Sequence, residues 1–312
     1  MIITLTPNPA INQIVFVDRL ALGEKNRFPE SQLDPAGKGV NAARVIHRLD
    51  WPTIAFGFAA GVVGEMIEGA LQAEGVEHHF IRVPGESRIN VTLVEREEGR
   101  TTDLNGPGPA VDQAHAAKLE HLVSSWLRAA RVLVLGGSLP PGVSEDTYAG
   151  YISMARAEGV RTILDAEGEP LRLGIAARPD LVKPNVAEAE ALLGRALPDV
   201  HAIVEGAHEI AAFGIGTVVI SMGPEGAVCV DDGRAWRAFS PGGRPLERAY
   251  GSGDSMIAGL AVGLARGEGI VHALRLGTAA GAATAIVPGV TLGTAESVHS
   301  LLSRVEIEEV AG

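Results

Sequence analysis

Four short apolar runs punctuate the middle of the chain: Val132-Leu133-Val134-Leu135, Thr162-Ile163-Leu164, Leu181-Val182 and Val218-Val219-Ile220. None alternates with polar residues, as expected of parallel strands covered by helices on both faces. Ala227-Val228-Cys229-Val230 reads as a further core strand. Helical spacing fills the intervals. In 112–130, Leu119, Leu122, Val123, Trp126, Leu127 and Ala130 recur on one face behind an Asp112 cap, and Ala42, Val45, Ile46 and Leu49 do so in 41–49. Such alternation predicts right-handed crossovers and an α/β fold with a doubly wound, mostly parallel sheet. Two segments break the pattern. Ile14-Val15-Phe16-Val17 lies in 11–34, while Ile89, Val91 and Leu93 alternate strictly before a turn at Glu98-Gly99 and a return through 100–104. Half-exposed strands of this kind predict a small separate sheet, either a lid over a site or a dimer surface. The expected organisation is a main α/β unit of 1–10, 35–86 and 106–312, with 11–34 and 87–105 as a lid or dimer clasp.

Composition narrows the functional classes. A chain of 312 residues with 46% hydrophobic content has enough apolar material for a large buried core. A net charge of −12 argues against nucleic acid and anionic membranes as partners. The N-terminus lacks a basic flank and a long apolar run, and Cys229 is the sole cysteine, so a cytoplasmic location is expected. The lysines are informative because only four occur: Lys25, Lys38, Lys118 and Lys183. Three of them fall in Gly- or Pro-marked polar segments, where a compact charge suits a moving phosphoryl group.

The strongest candidate chemistry lies at Gly251-Ser252-Gly253-Asp254, which runs into the small apolar segment 255–265. A glycine turn opening a helix leaves bare N–H groups at the positive end of the dipole, a ready anion hole with a carboxylate at its rim. The dipole should favour the ionised form of Asp254 and make it a weak base. A second Gly-rich loop, Pro35-Ala36-Gly37-Lys38-Gly39-Val40-Asn41, opens another helix. In Lys183-Pro184-Asn185-Val186-Ala187-Glu188, Asn185 and Glu188 stand three apart on a first helical turn. By themselves they read as a capping box; as oxygen ligands they could hold Mg²⁺ through its waters. The residues that follow the predicted strands, namely Gly136-Gly137-Ser138, Asp165, Lys183-Pro184-Asn185 and Ser221-Met222-Gly223, are polar or glycine. That points to a site along the C-terminal edge of the sheet.

Taken in order, these segments resemble the ribokinase-like (PfkB) carbohydrate kinase family, in its phosphosugar kinase branch. Thr6-Pro7-Asn8-Pro9-Ala10, Gly23-Glu24-Lys25-Asn26-Arg27, Glu86-Ser87-Arg88-Ile89-Asn90-Val91, Asn105-Gly106-Pro107-Gly108-Pro109 and Gly137-Ser138-Leu139-Pro140-Pro141-Gly142 extend the resemblance over nearly the whole chain. It implies ATP-dependent phosphorylation of a ketohexose phosphate, first of all fructose 1-phosphate, then tagatose 6-phosphate or fructose 6-phosphate. It further implies that Asp254 is the catalytic base and that Gly251, Ser252 and Gly253 hold the transferring group. ATP would meet Lys183, Asn185, Ser221, Gly223 and Gly226, with Asn185 and Glu188 associated with Mg²⁺. The acceptor would meet Asn12, Gly37, Lys38, Gly39, Asn41, Arg88, Asn90 and Ser138, with Lys25 and Arg27 as lid cations. Lids of this family pair between subunits, so a homodimer is implied.

The chain departs from the family at Asn12, where these kinases carry an Asp that accepts hydrogen bonds from sugar hydroxyls. Asp50, Ala60 and Thr92 replace Gly, Gly and often Lys, and Tyr250 replaces a small residue beside the anion hole. The Asn12 change keeps a non-catalytic sugar-phosphate sensor in view. A nicotinamide dehydrogenase is disfavoured, because Met256 stands where its third glycine belongs. A kinase for an uncharged sugar or a nucleoside would not need Arg88, Lys38 and Lys25. His78-His79 on a strand would point to opposite faces and make no metal pair.

Overall fold

The structure is a computed structural model that describes residues 1–241, 250–287 and 291–310. The chain opens with β1 (Ile2–Thr6), β2 (Ala10–Val17), β3 (Glu30–Ala36), α1 (Lys38–Arg48), β4 (Thr53–Ala59), α2 (Gly61–Ala73) and β5 (Glu77–Arg82). A hairpin, β6 (Arg88–Glu95) and β7 (Arg100–Leu104), precedes α3 (Gln113–Leu127) and β8 (Val132–Gly136). The middle continues as α4 (Thr147–Ala157), β9 (Arg161–Asp165), α5 (Gly168–Ala176), β10 (Leu181–Val182), α6 (Val186–Leu193), α7 (Val200–Ala211) and β11 (Thr217–Ser221). Then come β12 (Ala227–Asp231), β13 (Arg234–Ala238), α8 (Ser252–Arg266), α9 (Ile270–Ala285), α10 (Ala295–Leu302) and β14 (Ile307–Val310).

One large sheet runs in the order β5-β4-β1-β8-β9-β10-β11-β12-β13-β14. It is parallel from β5 to β11 and antiparallel beyond. The uninterrupted apolar runs are explained by burial on both faces. Leu133 and Leu135 enter one core with α3, α4, α5 and α7, while Val132 and Val134 enter the other with α1, α8, α9 and α10. Asp112 caps α3 by accepting from the His115 N–H, as its position in the sequence predicts. Trp126 stacks on His79, and Trp236 is buried in the second core, so both serve packing. Asp50 holds the left-handed conformation at φ 59°, a strained choice where glycine would be free. Among the described residues no helix is long and apolar enough to cross a membrane.

The two segments of alternating pattern form their own four-stranded sheet, ordered β3-β2-β6-β7. It is mixed, because β2 pairs with β6 in parallel. Cross-strand register divides it into two faces. One carries Asn12, Asp34, Asn90, Thr92 and Asp103; the other carries the row Leu33, Gln13, Val91 and Leu104.

Strand order places the site. From β1 the chain proceeds outward through β4 and β5 in one direction and through β8, β9 and β10 in the other. A crevice therefore opens beyond the C-terminal ends of β1 and β8, where an open α/β sheet binds ligands.

Candidate active site

Both glycine loops reach this crevice. Gly37 precedes α1 at φ 125°, and a β-carbon there would come within 2.7 Å of Thr6 Cγ2, so only glycine lets the loop fold onto the end of β1. Gly251 is the left-handed N-cap of α8 at φ 75°, where a β-carbon would lie 2.7 Å from Leu292 Cδ2. Among the described residues no side chain caps α8, which leaves its first amides to an anion.

Asp254 sits half-buried on the first turn of α8, and its Oδ2 accepts a 2.7 Å hydrogen bond from Asn41 Nδ2 on α1. The expectation of a weak base is corrected here. The dipole does favour the ionised form, but burial, followed by repulsion from Asp165, outweighs it. Together they raise the carboxyl from its ordinary 3.8 to about 6, against the Asn41 hydrogen bond and the attraction of Lys38 and Lys183. A carboxylate in that range is a competent proton acceptor near neutrality.

Asp165, at the end of β9, is a site residue to which the sequence assigned no role. Its Oδ1 accepts from Lys38 Nζ at 2.8 Å, and its Oδ2 lies 3.5 Å from Lys183 Nζ. Burial would raise the Asp165 carboxyl, yet Lys183 and Lys38 hold it below its ordinary range. Burial would likewise lower Lys38, yet Asp165 and Glu188 hold it well above its usual value. Lys38 is thus kept charged at the mouth of the anion hole, with Lys183 beside it. Lys183 Nζ lies 3.6 Å from where a β-carbon on Gly253 would stand.

Asn185 and Glu188 form the capping box of α6: Asn185 Oδ1 accepts from the Glu188 N–H, and Glu188 Oε2 accepts from the Asn185 N–H. Glu188 Oε1 also lies 3.6 Å from Lys38 Nζ. Beside them Ser221 bridges to Asn185, and the turn Gly223–Glu225 ends at Gly226 with φ 95°. A cleft of about 410 Å³ opens between this turn and the start of α6, lined by Asn185, Val186, Ser221 and Gly223.

On the opposite side lies the small sheet, joined to the loop after β1 through Arg88. Asn90 Nδ2 donates to Asn12 Oδ1 at 3.2 Å, and Asn90 Oδ1 is buried without a partner. Arg88 donates to the carbonyls of Asn8 and Gly106, leaves Nε buried and unpartnered, and makes no ion pair among the described residues. Asn8 Nδ2 donates to Ser138 Oγ at 3.4 Å. Tyr148, which carried no signal in the sequence, donates to the Gly137 carbonyl at 2.8 Å and props the turn that presents Ser138. Glu86 and Ser87 are structural, since they accept from the N–H groups of Val63 and Ala60 at the start of α2. Lys25 and Arg27 are not brought to the crevice; they lie exposed in the loop between β2 and β3.

Comparison with known proteins agrees with this geometry. Residues 8–296 match the pfkB family carbohydrate kinase profile. The 1-phosphofructokinase of Bacillus subtilis is 34% identical over 308 residues, covering 98% of this chain and 99% of the relative. That of Xanthomonas campestris is 40% identical over 274 residues, covering 84% and 83%. Among solved structures, Escherichia coli phosphofructokinase-2 in complex with fructose-6-phosphate superposes with a TM-score of 0.87 at 28% identity, over 97% of this chain and 98% of that one. With a family profile spanning most of its length and a ribokinase-like arrangement of sheet and anion-binding turn, the chain belongs to the pfkB family of carbohydrate kinases.

Proposed function

We propose that the protein transfers the γ-phosphoryl group of ATP to a hydroxyl of a ketohexose phosphate, with fructose 1-phosphate as acceptor and fructose 1,6-bisphosphate as product. The observation that carries the phosphosugar reading is Arg88: a half-buried guanidinium facing carbonyls rather than a carboxylate, with a spare donor, is a cation awaiting an anion. The relatives named 1-phosphofructokinase support the choice of acceptor.

The chemistry follows from the residues. Phosphoryl transfer asks for alignment and charge neutralisation through a loose transition state. The amides of Gly251 to Gly253 receive the transferring group, while Lys183 and Lys38 oppose its charge from below. Asp254, oriented by Asn41, takes the proton from the attacking hydroxyl. Asn12 and Asn90 meet the sugar's hydroxyls, and Arg88 with Ser138 meets its phosphate. ATP lies along Lys183, Asn185, Ser221, Gly223 and Gly226. Mg²⁺ is the accompanying cation: Glu188 keeps lone pairs beyond its capping bond, and this ion takes few protein carboxylates and retains its waters. When bound it offsets negative charge on the phosphates.

Two tests arise here. ADP release measured against fructose 1-phosphate, tagatose 6-phosphate, fructose 6-phosphate, fructose and a nucleoside should give the highest kcat/KM with fructose 1-phosphate. Equal rates on fructose would refute a phosphorylated acceptor. In the same assay Asn12→Asp should change the ranking of the sugar phosphates, because a carboxylate accepts more strongly than an amide. No change in kcat/KM for any of them would remove Asn12 from the acceptor site.

Segments 11–34 and 87–105 act as a lid, and a second copy of the chain covers its outer face. That face exposes an apolar row, with Leu33 54% and Leu104 61% exposed. A neighbouring structure, the inhibited form of E. coli phosphofructokinase-2, is described as tetrameric. Sedimentation velocity should show a dimer or larger assembly, shifted toward monomer by Leu33→Glu with Leu104→Glu. A wild-type monomer at micromolar concentration would exclude the clasp.

A further inference from the structure

Two departures from the family pattern, Thr92 and Tyr250, meet in the structure at one carboxylate. Tyr250, immediately before the anion-hole glycine, donates its hydroxyl to Asp103 Oδ1 at 2.9 Å. Thr92 Oγ1 donates to the same oxygen, also at 2.9 Å. Thr92 and Asp103 are direct cross-strand partners, so their bond lies within the small sheet. The Tyr250 bond instead joins that sheet to the body of the protein.

The opposite edge of the sheet is held differently. Asp34 of β3 lies on the same face as Asn12 and grips Arg44 of α1 through both of its oxygens. Arg44 is 3% exposed and also engages Glu74 at the end of α2, which in turn pairs with Arg48. A buried, bidentate, charge-assisted attachment is far stronger than one exposed phenol on a carboxylate. In the order β3-β2-β6-β7, the first edge is therefore held by a buried charged set, and the Tyr250 hydrogen bond is one of the contacts that hold the last. Asn90 lies on β6 beside the last edge, and Asn12 lies on β2 opposite Asp34, joined to Asn90 by a hydrogen bond.

We propose that Tyr250 is a positioning residue, the strut that holds the β7 edge of the small sheet down beside the anion-binding turn. Because Tyr250 adjoins Gly251, one residue couples the placement of Asn12 and Asn90 over the acceptor to the amides that receive the phosphoryl group. The kinetic arm of the test rests on the proposed acceptor reading; the structural arm does not.

Hydrogen–deuterium exchange of the free protein tests the strut without any substrate. Tyr250→Phe should speed exchange over 88–104 by roughly 3- to 10-fold, the weight of one hydrogen bond, with strand 217–221 unchanged as an internal reference for folding. Thr92→Val breaks a bond inside the sheet and leaves the tie to the body, so its effect should stay near residues 92 and 103 and not spread over 88–104. In the kinase assay Tyr250→Phe should raise the acceptor KM by a similar factor, with kcat and the ATP KM nearly unaltered. Unchanged exchange in Tyr250→Phe, or an equal effect of Thr92→Val, overturns the strut. Absence of turnover on every sugar phosphate overturns the acceptor reading instead, and the exchange result still decides the strut.

Discussion

Asp254→Asn lowers kcat by about 10²- to 10⁴-fold while ATP still binds. The amide is nearly isosteric and its oxygen can still accept from Asn41 Nδ2, so the turn keeps its shape. What it loses is a lone pair able to take a proton. In the wild type that lone pair is free above about pH 6, where burial and then Asp165 have placed the carboxyl. The kcat/KM profile should accordingly fall tenfold per unit below about pH 6, and this limb should vanish in Asp254→Asn. Stability should move in the opposite direction. An acid whose folded pKa is raised above its unfolded value loses native stability as pH rises through that window. Asp254→Asn should therefore raise Tm at pH 7.5 and do so less at pH 5, a site trading stability for reactivity. Coupled ADP release, calorimetric ATP binding and Tm at the two pH values check these outcomes. Near-normal kcat would remove Asp254 as the base.

What was legible in the sequence follows from the range of the forces involved. The parallel strands show because burial on both faces demands unbroken apolar runs, and the glycine turns show because backbone geometry is local. Of the antiparallel tail only β12 shows such a run; β13 is interrupted by arginines, and β14 adds only four residues, two of them glutamates. Asn185 and Glu188 illustrate one spacing serving two readings: the capping box is present, and its spare lone pairs still fit a hydrated cation. Longer-range pairing was hidden. Nothing local to Asp165 says that lysines 127 positions before it and 18 after it converge there. The raised pKa of Asp254 was missed for the same reason, since the dipole is a local property and burial is not. Arg44, Asp34 and Glu74 read as surface charges on three elements until tertiary packing buries the guanidinium.

Asp165→Asn is expected to damage both stability and turnover, through different routes. Asp165 and Lys183 are almost fully buried, at 3% and 4% side-chain exposure, and Lys38 is only partly exposed. Removing one charge leaves two ammonium groups facing a neutral amide, and breaking such a buried set costs about 3–5 kcal/mol. In a chain of this length that lowers Tm by roughly 5–8 °C. The sign of its pH dependence is fixed by the direction of the Asp165 shift. A carboxyl held below its ordinary 3.8 contributes stability that is complete above that value and is lost as pH falls through the lower, folded one. On the account of Asp165 itself the destabilisation by Asp165→Asn should persist from neutrality down to about pH 4 and shrink only below it, and the accompanying drop in the Asp254 pKa should make it somewhat larger below about pH 6 than above. Turnover should fall by about 10²-fold, because lysines freed from their anchor no longer align the phosphoryl group. The remaining activity carries the decisive reading. Asp165 repels Asp254 and helps to raise its pKa, whereas the lysines lower it. With the repulsion removed, the acid limb of kcat/KM should move below about 6. A limb that stays in place would show that burial alone sets the base, and would leave Asp165 a purely structural partner of its lysines.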